Sequence, residues 1–316
     1  MNNRFQRYSI GMLLSMLLLF SCKKSSNNSA NNGGGTIPTT TYTPGTTVYG
    51  SNNYTRFIVG DDLCPIILSS PHAGELTPSN IPDRTQGVTV TDSYVTDLVL
   101  KLADSIKKVT GLRPHIIIND LKRIKMDPNR SIEEAFLTHA DATAAYNDYQ
   151  NFIKAALKIV NEKVGKGIYF DMHGHGHTKS RIEVGYLLSA TELNGTDGSL
   201  NVLASTTSIY AISKTSSLSF WELIRGGQSL GTLLANAGCP SVPSQQDPKP
   251  LADDYFSGGF CTSSYGSMGG GNISAIQLET PGPIIRNTSA LRQQSAGKIA
   301  RVMNDYLRIH YHIILP

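Results

Sequence analysis

Apolar positions along this chain recur with two periods. Cys64-Pro65-Ile66-Ile67-Leu68-Ser69-Ser70 is a short apolar run closed by Pro71, the pattern of a buried strand. Thr91 or Asp92 then offers a helix cap. Val95, Leu98, Val99, Leu102 and Ile106 follow at helical spacing until Gly111 stops the helix. His115-Ile116-Ile117-Ile118 reads as a second strand, and residues 131–164, rich in Ala, Glu and Lys, as mostly helix. Ile168-Tyr169-Phe170 gives a third strand, residues 184–188 a fourth and residues 273–278 another. A last amphipathic helix places Ile299, Val302, Met303 and Tyr306 on one face. Strands alternating with helices of this length predict an α/β fold, a three-layer sandwich around a mostly parallel or mixed sheet. Residues 195–270 read as loop-rich, and no internal repeat is found.

The N-terminal 50 residues follow another pattern. Arg4 and Arg7 precede an apolar run over residues 10–20 and then Ser21-Cys22, the parts of a secretory signal. The run falls short of the about 20 apolar residues that span a bilayer. Leu19-Phe20-Ser21-Cys22 resembles the lipobox of bacterial lipoproteins, which implies acylation of Cys22 as the first mature residue. From Lys23 to about Gly50 the chain is Ser, Asn, Gly, Thr and Pro, too poor in aliphatic side chains to offset its ordering entropy. The expected organisation is a signal over 1–21, a tether over 22–50 and one domain over 51–316. The expected location is the cell envelope of a bacterium, with the domain exported and held to the membrane by its lipid.

Charge excludes one class of partner. Loss of Arg4 and Arg7 with the signal takes the 28 basic residues to 26 against 24 acidic ones, near +2, with no basic run to follow a nucleic acid backbone. Cys64, Cys239 and Cys261 remain besides Cys22, without a CxxC spacing for metal. Outside the cytoplasm Cys239 and Cys261 could pair.

Three strands run into ionisable side chains: Pro71-His72-Ala73-Gly74-Glu75, Asp171-Met172-His173-Gly174-His175-Gly176-His177, and Gln277-Leu278-Glu279 before Pro281. Ligands of open α/β sheets bind beyond the carboxyl ends of strands, so three such motifs can meet in one crevice. His72 and Glu75 form an HxxE pair, with Gly74 permitting a tight turn between them. A third ligand from the histidine tract, with His173 nearest the strand end, completes a His₂Glu set with one position open, which suits zinc. His175 and His177 remain alternatives to His173, and Asp171 can orient a ligand from behind. Glu279 ends an apolar strand and is the candidate general base. Arg130, with Asn129 beside it, offers a fork for a substrate carboxylate. Arg123 and Lys125 lie on the approach and could stabilise an oxyanion. His115 and His139 are read as structural.

The order His72-x-x-Glu75, Asp127-Pro128-Asn129-Arg130, Asp171-Met172-His173, Gln277-Leu278-Glu279 resembles that of N-formylglutamate amidohydrolases. It is also similar to the wider group of zinc carboxypeptidases and acyl-glutamate deacylases. Tyr255-Phe256-Ser257-Gly258-Gly259-Phe260, with Tyr265-Gly266, resembles the Gly-Gly loop before the last strand of that family. The resemblance spans about residues 69–286. It implies a zinc held by His72, Glu75 and His173, a carboxylate gripped by Asn129 and Arg130, and Glu279 as base. The implied substrate is a small carboxylated N-acyl amino acid or short peptide. The sequence departs from the family where His173-Gly174-His175-Gly176-His177 replaces an Asp-x-His-Ser pattern, and where Ala73 follows His72. Two other functions fit the same residues. One is a carboxypeptidase or cell-wall peptide hydrolase; the other is a surface lipoprotein that binds metal or ligand without turnover and has no need of Glu279.

Overall fold

The computed structural model describes residues 41–316. The expected signal, Cys22 and the tether as far as residue 40 lie outside the described residues. From Tyr42 onward the chain forms one compact unit. Its eight strands are β1 (Thr47–Tyr49), β2 (Thr55–Ile58), β3 (Ile66–Ser70), β4 (His115–Asn119), β5 (Gly167–His175), β6 (Ile182–Gly185), β7 (Ser241–Val242) and β8 (Ile273–Pro281). They form one sheet in the order β1-β2-β4-β3-β5-β8-β6-β7. The four pairings β3 with β4, β3 with β5, β5 with β8 and β6 with β7 are parallel. The pairings β1 with β2, β2 with β4 and β6 with β8 are antiparallel, so the sheet is mixed.

Helix α1 (Val95–Thr110) connects β3 to β4. Helices α2 (Ile132–Ala135) and α3 (Ala140–Lys163) connect β4 to β5. Between β6 and β8 come α4 (Ala190–Leu193), α5 (Asp197–Asn201), α6 (Tyr210–Thr215), α7 (Phe220–Arg225), α8 (Leu230–Asn236) and α9 (Phe260–Tyr265). The chain ends on α10 (Ser289–Tyr311). One face of the sheet presents Ile66, Leu68, Phe170, Met172, Ile276 and Leu278 to α1 and α10. The other presents Phe57, Ile67, Tyr169 and Ala275 to α3 and α9. Alternate residues of each central strand thus feed opposite cores, the expected consequence of a two-residue period in a sheet covered on both sides.

Several boundaries differ from expectation. The sheet reaches back into the expected tether, because Thr47, Val48 and Tyr49 pair with β2, and Tyr42 stacks on Phe57 at 5.2 Å. The helix expected over 131–164 breaks at Phe136, whose extended backbone (φ −162°, ψ 166°) separates α2 from α3. β5 continues to His175, well past Phe170, because β8 accompanies it residue for residue to the pair His175 and Pro281. Cys239 and Cys261 do not pair. They are free and buried in the two cores on opposite sides of the sheet, so no disulfide can join them.

Candidate active site

The carboxyl ends of β3, β5 and β8 converge on one cavity of about 440 Å³, lined by His72, Asp92, Arg123, Asn129, Arg130, His173, Gln277 and Glu279 among others. Arg286 ties these ends together. Its guanidinium donates to the carbonyls of Thr280 near the end of β8, His175 at the end of β5 and Ser93. Gly174 is required for this knot, since a Cβ there would stand 2.5 Å from the guanidinium carbon.

His72, Asp92 and His173 bring their donor atoms together. The two Nδ1 atoms are 3.1 Å apart, and Asp92 Oδ2 lies 3.4 Å from that of His72 and 3.3 Å from that of His173. Such an edge matches roughly 3.3 Å, the ligand–ligand distance of a tetrahedral metal bound at about 2.0–2.1 Å. Each ring is anchored from behind. His72 Nε2 donates to Asp127 Oδ1 at 2.6 Å, and His173 Nε2 lies 3.0 Å from Asp171 Oδ2 as an ion pair and 3.3 Å from Asn129 Nδ2. Both Nδ1 lone pairs therefore point at the same spot, a repulsive arrangement unless a cation or proton sits between them. Carboxylates behind the imidazoles are the usual support of metal-ligating histidines. Asp171 is held in turn by Ser69 Oγ at 2.6 Å.

The field of the site is strongly negative. Burial would lower the His173 pKa, yet Asp171, Asp92 and Glu279 hold it well above the ordinary imidazole range. Burial would raise Asp92, but hydrogen bonds from His173 and His72 hold it well below the usual carboxylate range. A centre that retains a proton on a fully buried imidazole is a centre suited to a divalent cation. Two nitrogens and one carboxylate also leave a tetrahedral position open.

Glu75 is not part of this group. Its side chain is exposed and borders a different cavity with Tyr94, Asp97 and Asp120. The physical reason is backbone conformation. The chain bends at Pro71 and His72 and then pairs with the exit of β4, where Leu76 N–H donates to Asp120 O and Lys122 N–H to Leu76 O. This pairing carries Glu75 to an exposed position beside Tyr94 and Asp120, while His72 at the bend lines the cavity with His173. Gly74 serves this pairing rather than a turn, because a Cβ there would meet the backbone of Asp120 at 2.4 Å.

The acid that joins the histidines is Asp92, which sequence reading took only for a helix cap. It does not cap α1, whose N-cap is Tyr94 at φ 66°. Its backbone N–H instead donates to His72 O at 3.0 Å, and its Oδ2 accepts from Gly174 N–H at 3.1 Å. An aspartate before a helix carries no local mark that separates the two roles. Asp127, to which its motif assigns no role, accepts from His72, Arg123 Nε at 3.0 Å and Asn129 N–H at 3.0 Å.

The remaining predicted residues divide. Glu279 is buried at the cavity and stands beside His173 in the β5–β8 register and opposite Glu183 in the β6–β8 register. Burial pushes its pKa up to about 7, with His173 and His72 opposing and Asp92 and Glu183 reinforcing the rise. Its Oε2 has no hydrogen-bond partner. Arg130 is 44% exposed at the cavity rim, with only a 3.9 Å ion pair to Asp127. Arg123 lines the cavity, partly engaged by Asp127. Asn129 is half committed, its Oδ1 accepting from Cys261 N–H at 2.7 Å. Lys125 is turned away to Ile81 O and Asp83. His115 accepts from Gly60 N–H, and His139 caps α3, both structural as expected.

His175, His177 and Glu183 form a second group with donors close enough to share a cation. Here, however, the donors satisfy one another. His177 Nδ1 meets Glu183 Oε1 at 2.7 Å, Phe256 N–H donates to Glu183 Oε2, and His175 Nε2 donates to Arg181 O. The tract after His173 therefore builds the cavity wall, with the His177 ring against Phe256 at 4.6 Å.

No protein-family model matches the chain, and no curated protein matches it. Among solved structures, it is similar to N-formylglutamate amidohydrolase from Ralstonia eutropha JMP134 at 11% identity and a TM-score of 0.48, over 85% of this chain and 99% of that one. It is also similar to a gene product from Agrobacterium tumefaciens at 11% identity and a TM-score of 0.43, over 78% of this chain and 93% of that one.

Proposed function

We propose that this chain is a zinc-dependent amidohydrolase that cleaves an N-acyl amino acid or short peptide beside a free carboxylate. The observation that carries the reading is the triangle of His72 Nδ1, His173 Nδ1 and Asp92 Oδ2 with a high-pKa glutamate in the same cavity whose Oε2 has no partner. When bound, zinc supplies a Lewis acid that polarises an amide carbonyl and acidifies water. Glu279 then has the protein's own part of the chemistry. Its free Oε2 takes the proton of the attacking water and returns it to the departing amine, which a pKa near neutrality favours in both directions. Arg123 faces the cavity with charge to offset a developing oxyanion. Arg130 at the rim grips the substrate carboxylate through its fork and sets the amide in register. The second cavity, about 550 Å³ and also bordered by Arg130, favours a short peptide as an alternative to a single amino acid.

The test is zinc content by elemental analysis of the purified chain, joined to hydrolysis of a panel of N-acyl amino acids and short peptides. One zinc per chain and metal-dependent release of free amine are expected. A metal-loaded protein that turns over none of the panel returns the chain to a binding role. The envelope location belongs to the same proposal, with Cys22 as the acylated residue. A Cys22→Ser protein should leave the detergent phase for the aqueous one, since one cysteine carrying several acyl chains anchors firmly. Unchanged partition would refute the anchor.

A further inference from the structure

Gln277 stands two residues before Glu279 on β8 and faces the same way, into the cavity. Its side chain is 4% exposed. Its Nε2 donates to Glu279 Oε1 at 3.0 Å. This bond fixes the carboxamide, because the flipped orientation would set an oxygen against the carboxylate. Gln277 Oε1 is left without any hydrogen-bond partner. Neither neighbouring strand can supply one. The residue opposite on β5 is Asp171, an acceptor already bound to Ser69, and the residue opposite on β6 is Gly185, which has no side chain. A buried acceptor with no donor on either side is costly unless a ligand brings one. Glu279 Oε2 is the second such atom in the same cavity, and the reaction above assigns it to the water proton. The other acceptor needs a neutral donor beside the reacting carbon.

We infer that Gln277 Oε1 accepts the N–H of the scissile amide, which makes Gln277 the residue that restricts this site to secondary amides. The inference rests on the amidohydrolase reading. A secondary amide presents its carbonyl oxygen and its N–H on opposite edges, so a group held by Gln277 at one edge turns the carbonyl toward the metal ligands at the other. The same contact holds the nitrogen near Glu279, which must protonate it as the C–N bond breaks. N-alkylated amides, including acylated proline, lack the proton and leave Gln277 Oε1 buried and unpaired.

The experiment uses the full zinc-loaded chain and two compounds, an N-acyl amino acid and its analogue methylated on the amide nitrogen, a tertiary amide without the N–H. The parent is expected to favour the secondary amide by at least about 100-fold in kcat/KM, because a site built around a substrate N–H rejects the analogue lacking it. Gln277→Leu should lose most of that ratio, not merely rate. Loss of the hydrogen bond to Glu279 slows both substrates together, whereas loss of the N–H acceptor slows only one. Gln277→Glu, which keeps an acceptor at the position, should retain the preference. An unchanged ratio in folded, zinc-loaded Gln277→Leu overturns the inference. Equal turnover of the two substrates by the parent overturns it without any variant. If the parent cleaves neither, nor any other N-acyl amino acid, the amidohydrolase reading itself has failed and this inference falls with it.

Discussion

His72 and His173, 101 residues apart in the chain, bring their Nδ1 atoms within 3.1 Å while each Nε2 is secured by a buried aspartate. Turning His72 away breaks a charge-assisted bond to Asp127, and turning His173 away separates it from the carboxylate of Asp171. The two Nδ1 atoms are thus held facing one spot, and Asp92 completes the group.

Metal binding should follow Asp92 and ignore Glu75. Asp92→Ala should lose the metal, and with it the stability that the bound ion contributes. Glu75→Ala should keep full occupancy. Asp171→Asn, which leaves the ligands intact but weakens their support, should cost about 10- to 100-fold in metal affinity. Elemental analysis and a competition titration with a chelator check all three, and a zinc-free Glu75→Ala would restore the HxxE assignment.

Glu279→Gln should retain zinc while turnover falls by about 100-fold or more, the usual share of a general base. The pH profile carries the same information. With its pKa raised to about 7, Glu279 is protonated and idle at lower pH, so kcat/KM should rise with pH through that value. A Gln variant with parental rates, or a parental profile flat across neutrality, rules this residue out as base.

Arg130→Ala should discriminate between substrates. Truncating a clamp at one end misplaces the scissile bond and costs on the order of 100-fold. That loss should appear with free carboxylates and be largely absent with the matching amides or esters. Equal losses on charged and uncharged substrates would mean that Arg130 shapes the rim without gripping the carboxylate.

His115 gives the fold an acid limit far from the site. Burial lowers its pKa from 6.5 to about 4, and its Nδ1 accepts from Gly60 N–H, so the folded ring is neutral. The unfolded chain takes up a proton below pH 6.5 that the folded chain refuses. The contribution is therefore complete above 6.5 and lost as pH falls toward about 4, to a total on the order of 3 kcal/mol. Denaturant midpoints of His115→Gln should fall less steeply than the parent over that interval. Parallel curves would assign the acid sensitivity to other groups.

Much of this was legible in the sequence because it is local. The apolar runs at β3, β4, β5 and β8 and the helical spacing of α1 and α10 each state their own burial, and alternation of strands with helices gives the layers. His72, His173 and Glu279 could be picked out because each ends such a strand, where a parallel sheet gathers its ligands. Glu75 and Asp92 could not be told apart in this way. Whether Glu75 turns toward His72 depends on the bridge of Leu76 to Leu121, a contact 45 residues away in the chain. Whether Asp92 caps a helix or reaches a metal depends on where His72 O and Gly174 N–H stand. The break at Phe136, the length of β5 and the separation of Cys239 from Cys261 are of the same kind. Periodicity tells a residue how deeply it is buried; only the packed sheet, which fixes which faces meet, decides what it is buried against.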